Sequence, residues 1–289
     1  AGRGIGTVTK PGLSVPPGEP SINPGPRQLI RNVVEDILGK DGSVDVTISI
    51  PAGEELAKRT LNPILGIIGG MGPQATIDLY QKITDHTAAS RDQDHLHILI
   101  DSYPQIPDRT AHICGSGDDP LPYLVRSARR LEAAGAELLL MPCNAAHHYI
   151  RALRERTILP FLHIADCAIA ALSTRCPPGS RVAVLATRGT RHSGIYRDAL
   201  QQAGYHPVEP DEAQTAALMR CIYDGAKAGN TAAYVPLLAE TVAAIAADSL
   251  ILACTELPLF LPWWQDSRPV IDSTDALARA AVAAAREAA

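Results

Sequence analysis

Leu65-Gly66-Ile67-Ile68-Gly69-Gly70-Met71-Gly72-Pro73 sets a short apolar run directly before a turn of small residues and a proline. Leu65–Ile68 has no polar break, so it reads as a strand covered on both faces, the condition of a parallel sheet. The same order of strand, small-residue turn and helix continues downstream. A strand around His95–Ile100 leads into Tyr103-Pro104-Gln105-Ile106-Pro107-Asp108-Arg109, and a helix over Leu121–Ala134 closes on Gly135. Glu137–Met141 is the next strand and ends in Pro142-Cys143-Asn144. Arg181–Leu185 then ends in Ala186-Thr187-Arg188-Gly189-Thr190, and Ser249–Ala253 ends in Cys254-Thr255-Glu256. Each half thus holds a Gly- or Thr-rich turn and, later, a cysteine at a strand end. This pattern, written twice, predicts an α/β protein of two pseudo-symmetric doubly wound parallel-sheet domains, with the active site in the cleft between them. The expected domains are 62–165 plus 268–289, and 166–267. The Ala-rich tail Ser273–Ala289 reads as a closing helix.

The composition agrees with a packed protein. Of 289 residues, 46% are apolar and 20% charged, enough to bury a core. The net charge of −5 and the lack of a basic run argue against nucleic acid as a partner. The apolar stretches near 137–143 and 241–254 are interrupted by Glu137 and Asp248, so no membrane span is expected. The first residues lack the basic and apolar regions of a secretory signal, and a cytoplasmic location is expected. The chain begins with Ala1 rather than Met, and its native start is expected elsewhere. Its six cysteines form no C-x-x-C pair, which removes the spacing for a zinc site or a redox dithiol.

Cys143 and Cys254 carry the chemistry. Both fall at strand ends, where open parallel sheets bind ligands, and each precedes an expected helix N-terminus that would favour the thiolate. A single strand-end cysteine reads as a small buried hydrophobe; a matched pair could flank a small molecule, one removing a proton and the other returning it from the opposite face. The turn Gly69–Pro73 is built like an anion site, with glycines allowing close approach and proline at a first helical position. Asn144, Thr187 and Thr255 supply neutral hydrogen-bond groups. Arg109 could hold a carboxylate bidentately, and Lys227 in Asp224–Asn230 is a further cation; either alone also reads as a solvated surface charge. His147 and His148 stand one turn after Cys143 and read as packing or capping residues. Cys114, Cys167, Cys176 and Cys221 read as structural, and Trp263 and Trp264 as packing or interface residues.

At these positions the chain resembles the cofactor-independent aspartate/glutamate racemases, in particular their aspartate branch. The matching motifs are Leu65–Pro73 (LGIIGGMGP), Arg91–His95 (RDQDH), Pro104–Thr110 (PQIPDRT), Met141–His147 (MPCNAAH), Tyr223–Asn230 (YDGAKAGN) and Ala253–Leu257 (ACTEL). The resemblance implies racemisation of aspartate or glutamate by Cys143 and Cys254, acting as acid and base without pyridoxal phosphate or metal. It also implies substrate contacts at Met71, Gln105, Arg109, Asn144, Thr187, Lys227 and Thr255, with Arg109 and Lys227 on the side-chain carboxylate. A homodimer is implied on the same ground. The position after Cys-Asn is usually Thr in this family; Ala145 lacks that hydroxyl, worth about 0.5–1.5 kcal/mol as one hydrogen bond.

Residues 1–61 have a different character. Twelve of the 45 glycines and prolines lie in residues 1–26; a helix over Pro26–Leu38 and a strand over Val44–Ile50 follow. Gly4–Asn23 and Gly53–Gly70 resemble an internal piece of cobalt-precorrin-5B C1-methyltransferase. Leu65–Gly70 is then the crossover of a fusion or recombinant. Three rivals to racemisation remain at this point. They are a non-catalytic dicarboxylate binder, a methyltransferase remnant that binds S-adenosylmethionine, and a diacid isomerase or decarboxylase using the same cysteines.

Overall fold

The computed structural model describes residues 63–287, and the expectations for the first 61 residues lie outside them. In the first lobe, β1 (Leu65–Gly69) is central, between β2 (Ile98–Ser102) and β3 (Leu138–Leu140), and both pairings are parallel. All five residues of β1 are buried, as its apolar run predicts. β2 is the half-buried edge strand and lies a little later than expected. Three α-helices separate these strands, α1 (Pro73–His86), α2 (Arg109–Ile113) and α3 (Leu121–Ala133). The buried residues of α3, Leu124, Ser127, Ala128 and Leu131, recur at helical spacing and face one side.

After β3 the chain turns through α4 (Ile150–Arg154) and α5 (Ile164–Ser173) into the second lobe. There β4 (Arg181–Ala186) lies between β5 (His206–Val208) and β6 (Ser249–Ala253), with β7 (Val270–Asp272) beyond β6. All pairs are parallel. Helices α6 (Arg188–Ser193), α7 (Ile195–Gln202), α8 (Glu212–Arg220) and α9 (Thr231–Ala243) connect them. The final helix, α10, spans Ser273–Glu287.

The two lobes repeat one plan. Phe161 forms a parallel bridge with Leu139 of β3, in the place β7 takes beside β6. A crossing helix follows each of these edge segments. Ala165, Ala168 and Leu172 of α5 pack with Val182, Val184 and Ile251 of the second lobe's sheet. Leu277, Ala278 and Ala281 of α10 pack with Leu65, Ile67 and Leu140 of the first lobe's sheet. Each lobe therefore covers one sheet face with a helix supplied after the other lobe's last strand. The expected boundary at residue 268 changes accordingly: 270–272 complete the second sheet, and the chain returns to the first lobe only at Ser273.

Leu277 is fully buried in that crossing contact. Leu277→Ala is expected to lower the unfolding free energy by about 2–5 kcal/mol in urea denaturation, since the site cannot collapse around the lost atoms.

Candidate active site

Parallel strands all point their carboxyl ends one way, so the loops after β1, β3, β4 and β6 meet in one cleft. Cys143 follows β3 and Cys254 follows β6, and both line a single cavity with Met71, Arg109, Asn144, Ala145, Thr187, Lys227 and Thr255. Of the residues named from sequence, Gln105 alone stays outside; it is exposed on the 103–108 loop. The space enclosed is about 20 Å³, room for one water and far too little for an amino acid. Hydrogen bonds cross the cleft around it: Thr110 Oγ1 to Thr187 Oγ1 at 3.2 Å, Thr255 Oγ1 to the Pro142 carbonyl at 3.2 Å, and Tyr223 Oη to Asp108 Oδ2 at 2.9 Å.

Arg109 is the first residue of α2, whose N-cap Asp108 accepts from the Ala111 amide at 2.8 Å. It is no surface charge. The residue is 9% exposed, and its guanidinium donates to the carbonyls of Ile106, Pro107 and Met71. Its Nε is buried without a partner. Burial works against its positive charge, but negative charge on Cys143 and Asp108 outweighs this and raises its pKa.

Tyr223 and Lys227 come from a π-helix over Cys221–Lys227, a form concentrated at functional sites. Lys227 is exposed along its main chain, yet its side chain is only 24% exposed and its Nζ lies 2.7 Å from Glu256 Oε1. Glu256, 3% exposed, was not singled out from the sequence, although it stands two positions after Cys254 in the same motif. Its Oε1 also accepts from the Gly72 amide at 3.2 Å, and its Oε2 from Cys254 Sγ at 3.1 Å. The Gly69–Pro73 turn thus binds an anion as expected, but the anion is the protein's own carboxylate. Gly70 in that turn has φ +89°, and a Cβ there would stand 2.5 Å from the Tyr103 main chain.

The expected lowering of the Cys254 thiol at an α-helix N-terminus is corrected. Each cysteine precedes a 3₁₀ segment, Ala145–Tyr149 or Leu257–Phe260. Behind Cys143, His147 Nδ1 lies 3.0 Å from the Cys143 carbonyl. That carbonyl also takes the Ala146 amide in a tight i+3 turn. Burial first and Glu256 second push the Cys254 thiol well above its usual range, with Lys227 offsetting part. Burial likewise raises Cys167 and Cys221 to about 11, in keeping with structural thiols. Asn144 has both amide atoms engaged: Nδ2 donates to Ser273 Oγ at 3.2 Å, and Oδ1 accepts from Tyr196 Oη at 2.6 Å. Among the described residues no group of three or more His, Cys, Asp or Glu could hold a metal, and no helix is long and apolar enough to cross a membrane.

A family model described as Asp/Glu/Hydantoin racemase matches residues 68–281. The chain belongs to this family. Broad specificity amino-acid racemase RacX of Bacillus subtilis is 31% identical over 227 residues, covering 76% of this chain and 96% of RacX. The solved Picrophilus torridus aspartate racemase is 32% identical with a TM-score of 0.66, over 78% of this chain and 94% of that one. A CbiD family model matches residues 1–73, so the two matches overlap at 68–73, which shares residues 68–70 with the expected crossover Leu65–Gly70. Cobalt-precorrin-5B C(1)-methyltransferase of Methanocaldococcus jannaschii is 52% identical over 84 residues, 29% of this chain. The chain spans only 23% of that methyltransferase's length.

His147 lies fully buried against His163, with ring centroids 4.9 Å apart. Burial first, and His163 second, lower its pKa to about 3. The unfolded chain protonates this ring near pH 6.5 and the folded chain only near 3, so stability falls as pH drops through that window. Between pH 7 and 4.5 the loss from His147 is about 3 kcal/mol. His147→Gln should remove that part of the pH dependence in denaturant titrations at the two pH values.

Proposed function

We propose that the chain is a cofactor-independent amino-acid racemase that interconverts L- and D-aspartate, or glutamate, by two-cysteine 1,1-proton transfer. The observation that carries this reading is that Cys143 and Cys254, from equivalent strand ends of two repeated lobes, line one cavity. One sulfur takes the α-proton as thiolate; the other, as thiol, delivers a proton to the opposite face of the planar carbanion. Acid and base are both side chains, so the scheme calls for neither pyridoxal phosphate nor a metal. Arg109 offers a fixed positive charge for a carboxylate, and Thr187 and Thr255 offer hydroxyls at the cavity wall. Substrate closure excludes water, which strengthens each of these interactions. A cytoplasmic homodimer belongs to the same reading.

The engagement of Lys227 by Glu256 and the missing hydroxyl at Ala145 favour a second reading. In it the substrates are amino acids with uncharged side chains, and RacX is a racemase of broad specificity. Methyl transfer finds little support, given the share of the methyltransferases that residues 1–73 represent.

Incubation with L-aspartate in D₂O should yield α-deuterated aspartate and D-aspartate, and Cys143→Ala and Cys254→Ala should each reduce racemisation by about 10³-fold or more. Absence of both products would overturn the racemase reading for aspartate. A panel of neutral amino acids in the same assay decides between the two substrate classes.

A further inference from the structure

The two cysteines face opposite charges. Beside Cys143 stands the buried Arg109 guanidinium, which Cys143 favours in its charged form. Beside Cys254 stands Glu256, whose carboxylate is divided between two tasks. Oε1 is held by Lys227 Nζ at 2.7 Å and the Gly72 amide at 3.2 Å, leaving Oε2 to accept from Cys254 Sγ at 3.1 Å and Thr255 Oγ1 at 3.4 Å. A sulfur can donate to a carboxylate only while it keeps its proton. We propose that Glu256, fixed by Lys227, is a positioning residue that holds the proton on Cys254, so that the resting site presents a thiol from the second lobe and Cys143 is the base toward the one enantiomer that the resting form accepts.

The other groups around Cys254 are consistent with this assignment. Lys227 donates to Glu256 Oε1 and serves as its counter-ion. Tyr223 and Tyr196, which burial keeps neutral, add no negative charge. Across the cleft lie Cys143, Arg109 and Asp108. Asp108 is spent on Tyr223 and on capping α2. Cys254, Glu256, Thr255 and Lys227 all belong to the second lobe, so the contacts among them lie within one lobe; Glu256 with the Gly72 amide and Thr255 with the Pro142 carbonyl are the contacts that cross the cleft. In one turnover the substrate's α-proton passes to the Cys143 thiolate and the Cys254 proton passes to carbon. The product state then holds a Cys254 thiolate against the Glu256 carboxylate. That repulsion favours reprotonation of Cys254 from solvent, with Cys143 releasing its proton, and so restores the starting form. The catalytic consequence rests on the racemase reading, whereas the hold on the Cys254 proton does not.

The test is iodoacetamide alkylation of the full chain across pH, with Cys254 followed by peptide mass spectrometry, in the native protein, Glu256→Gln and Glu256→Asp. Native Cys254 is expected to react slowly at pH 8, with a midpoint far above an ordinary thiol. Removing the carboxylate charge in Glu256→Gln should lower that midpoint by at least about one unit and accelerate alkylation at pH 8 by about tenfold or more. Glu256→Asp, which keeps the charge, should stay within about threefold of the native rate. An unchanged midpoint in Glu256→Gln would overturn the proposal, and so would equal acceleration in both variants, the signature of a loosened cleft. If racemisation is observed, the high-pH limb of kcat/KM should move down in Glu256→Gln alongside the alkylation midpoint. A chain without racemase activity leaves the alkylation result as the deciding measurement.

Discussion

The exchange of crossing helices is the constraint on which the rest of the molecule depends. α5 and α10 each leave one sheet and bury their apolar faces on the other, joining the lobes. With the lobes tied in this way, the carboxyl ends of both sheets face a shared cleft, and the strand-end cysteines face it too. A single-lobe arrangement would leave either cysteine as an ordinary small buried residue. Duplication followed by helix exchange gives each thiol a partner and a common space.

Within that space, repetition of the fold goes with inequality of charge. The first lobe brings a guanidinium to Cys143, supported by three main-chain carbonyls that lock its direction. The second brings a carboxylate to Cys254, balanced by a lysine from the π-helix. The same carboxylate also takes an amide from the glycine turn of the first lobe, so one side chain joins electrostatics to closure. The cleft is closed to about 20 Å³. Its polar groups are largely satisfied by one another, as burial demands of charged side chains.

The amino-terminal match raises a separate point about how such chains arise. The two matched regions overlap at residues 68–73. Joining them there preserves β1 and its turn, which the first sheet needs at its centre. Residues 68–281 alone satisfy the racemase family's pattern.

Periodicity and strand-end position were enough to read the α/β class, the parallel sheets, the doubled plan and the two cysteines, because these depend on local patterns that repeat. The edges of the elements were less legible. β2 is a half-buried edge strand without a continuous apolar run, and Glu137 turns its carboxylate to the Ile64 amide instead of extending β3. The protonation balance lay beyond sequence altogether. Cys254-Thr255-Glu256 are adjacent in the chain, but whether Glu256 would face the thiol, and that Lys227 and Gly72 would hold its other oxygen, depended on elements 29 and 184 residues away. Likewise, the burial of the His147 ring against His163 is a tertiary contact that the local sequence does not show. Local sequence determines which chemistry is available; burial and long-range contacts decide which sulfur keeps its proton, because the energy of a charge depends on its surroundings in space rather than along the chain.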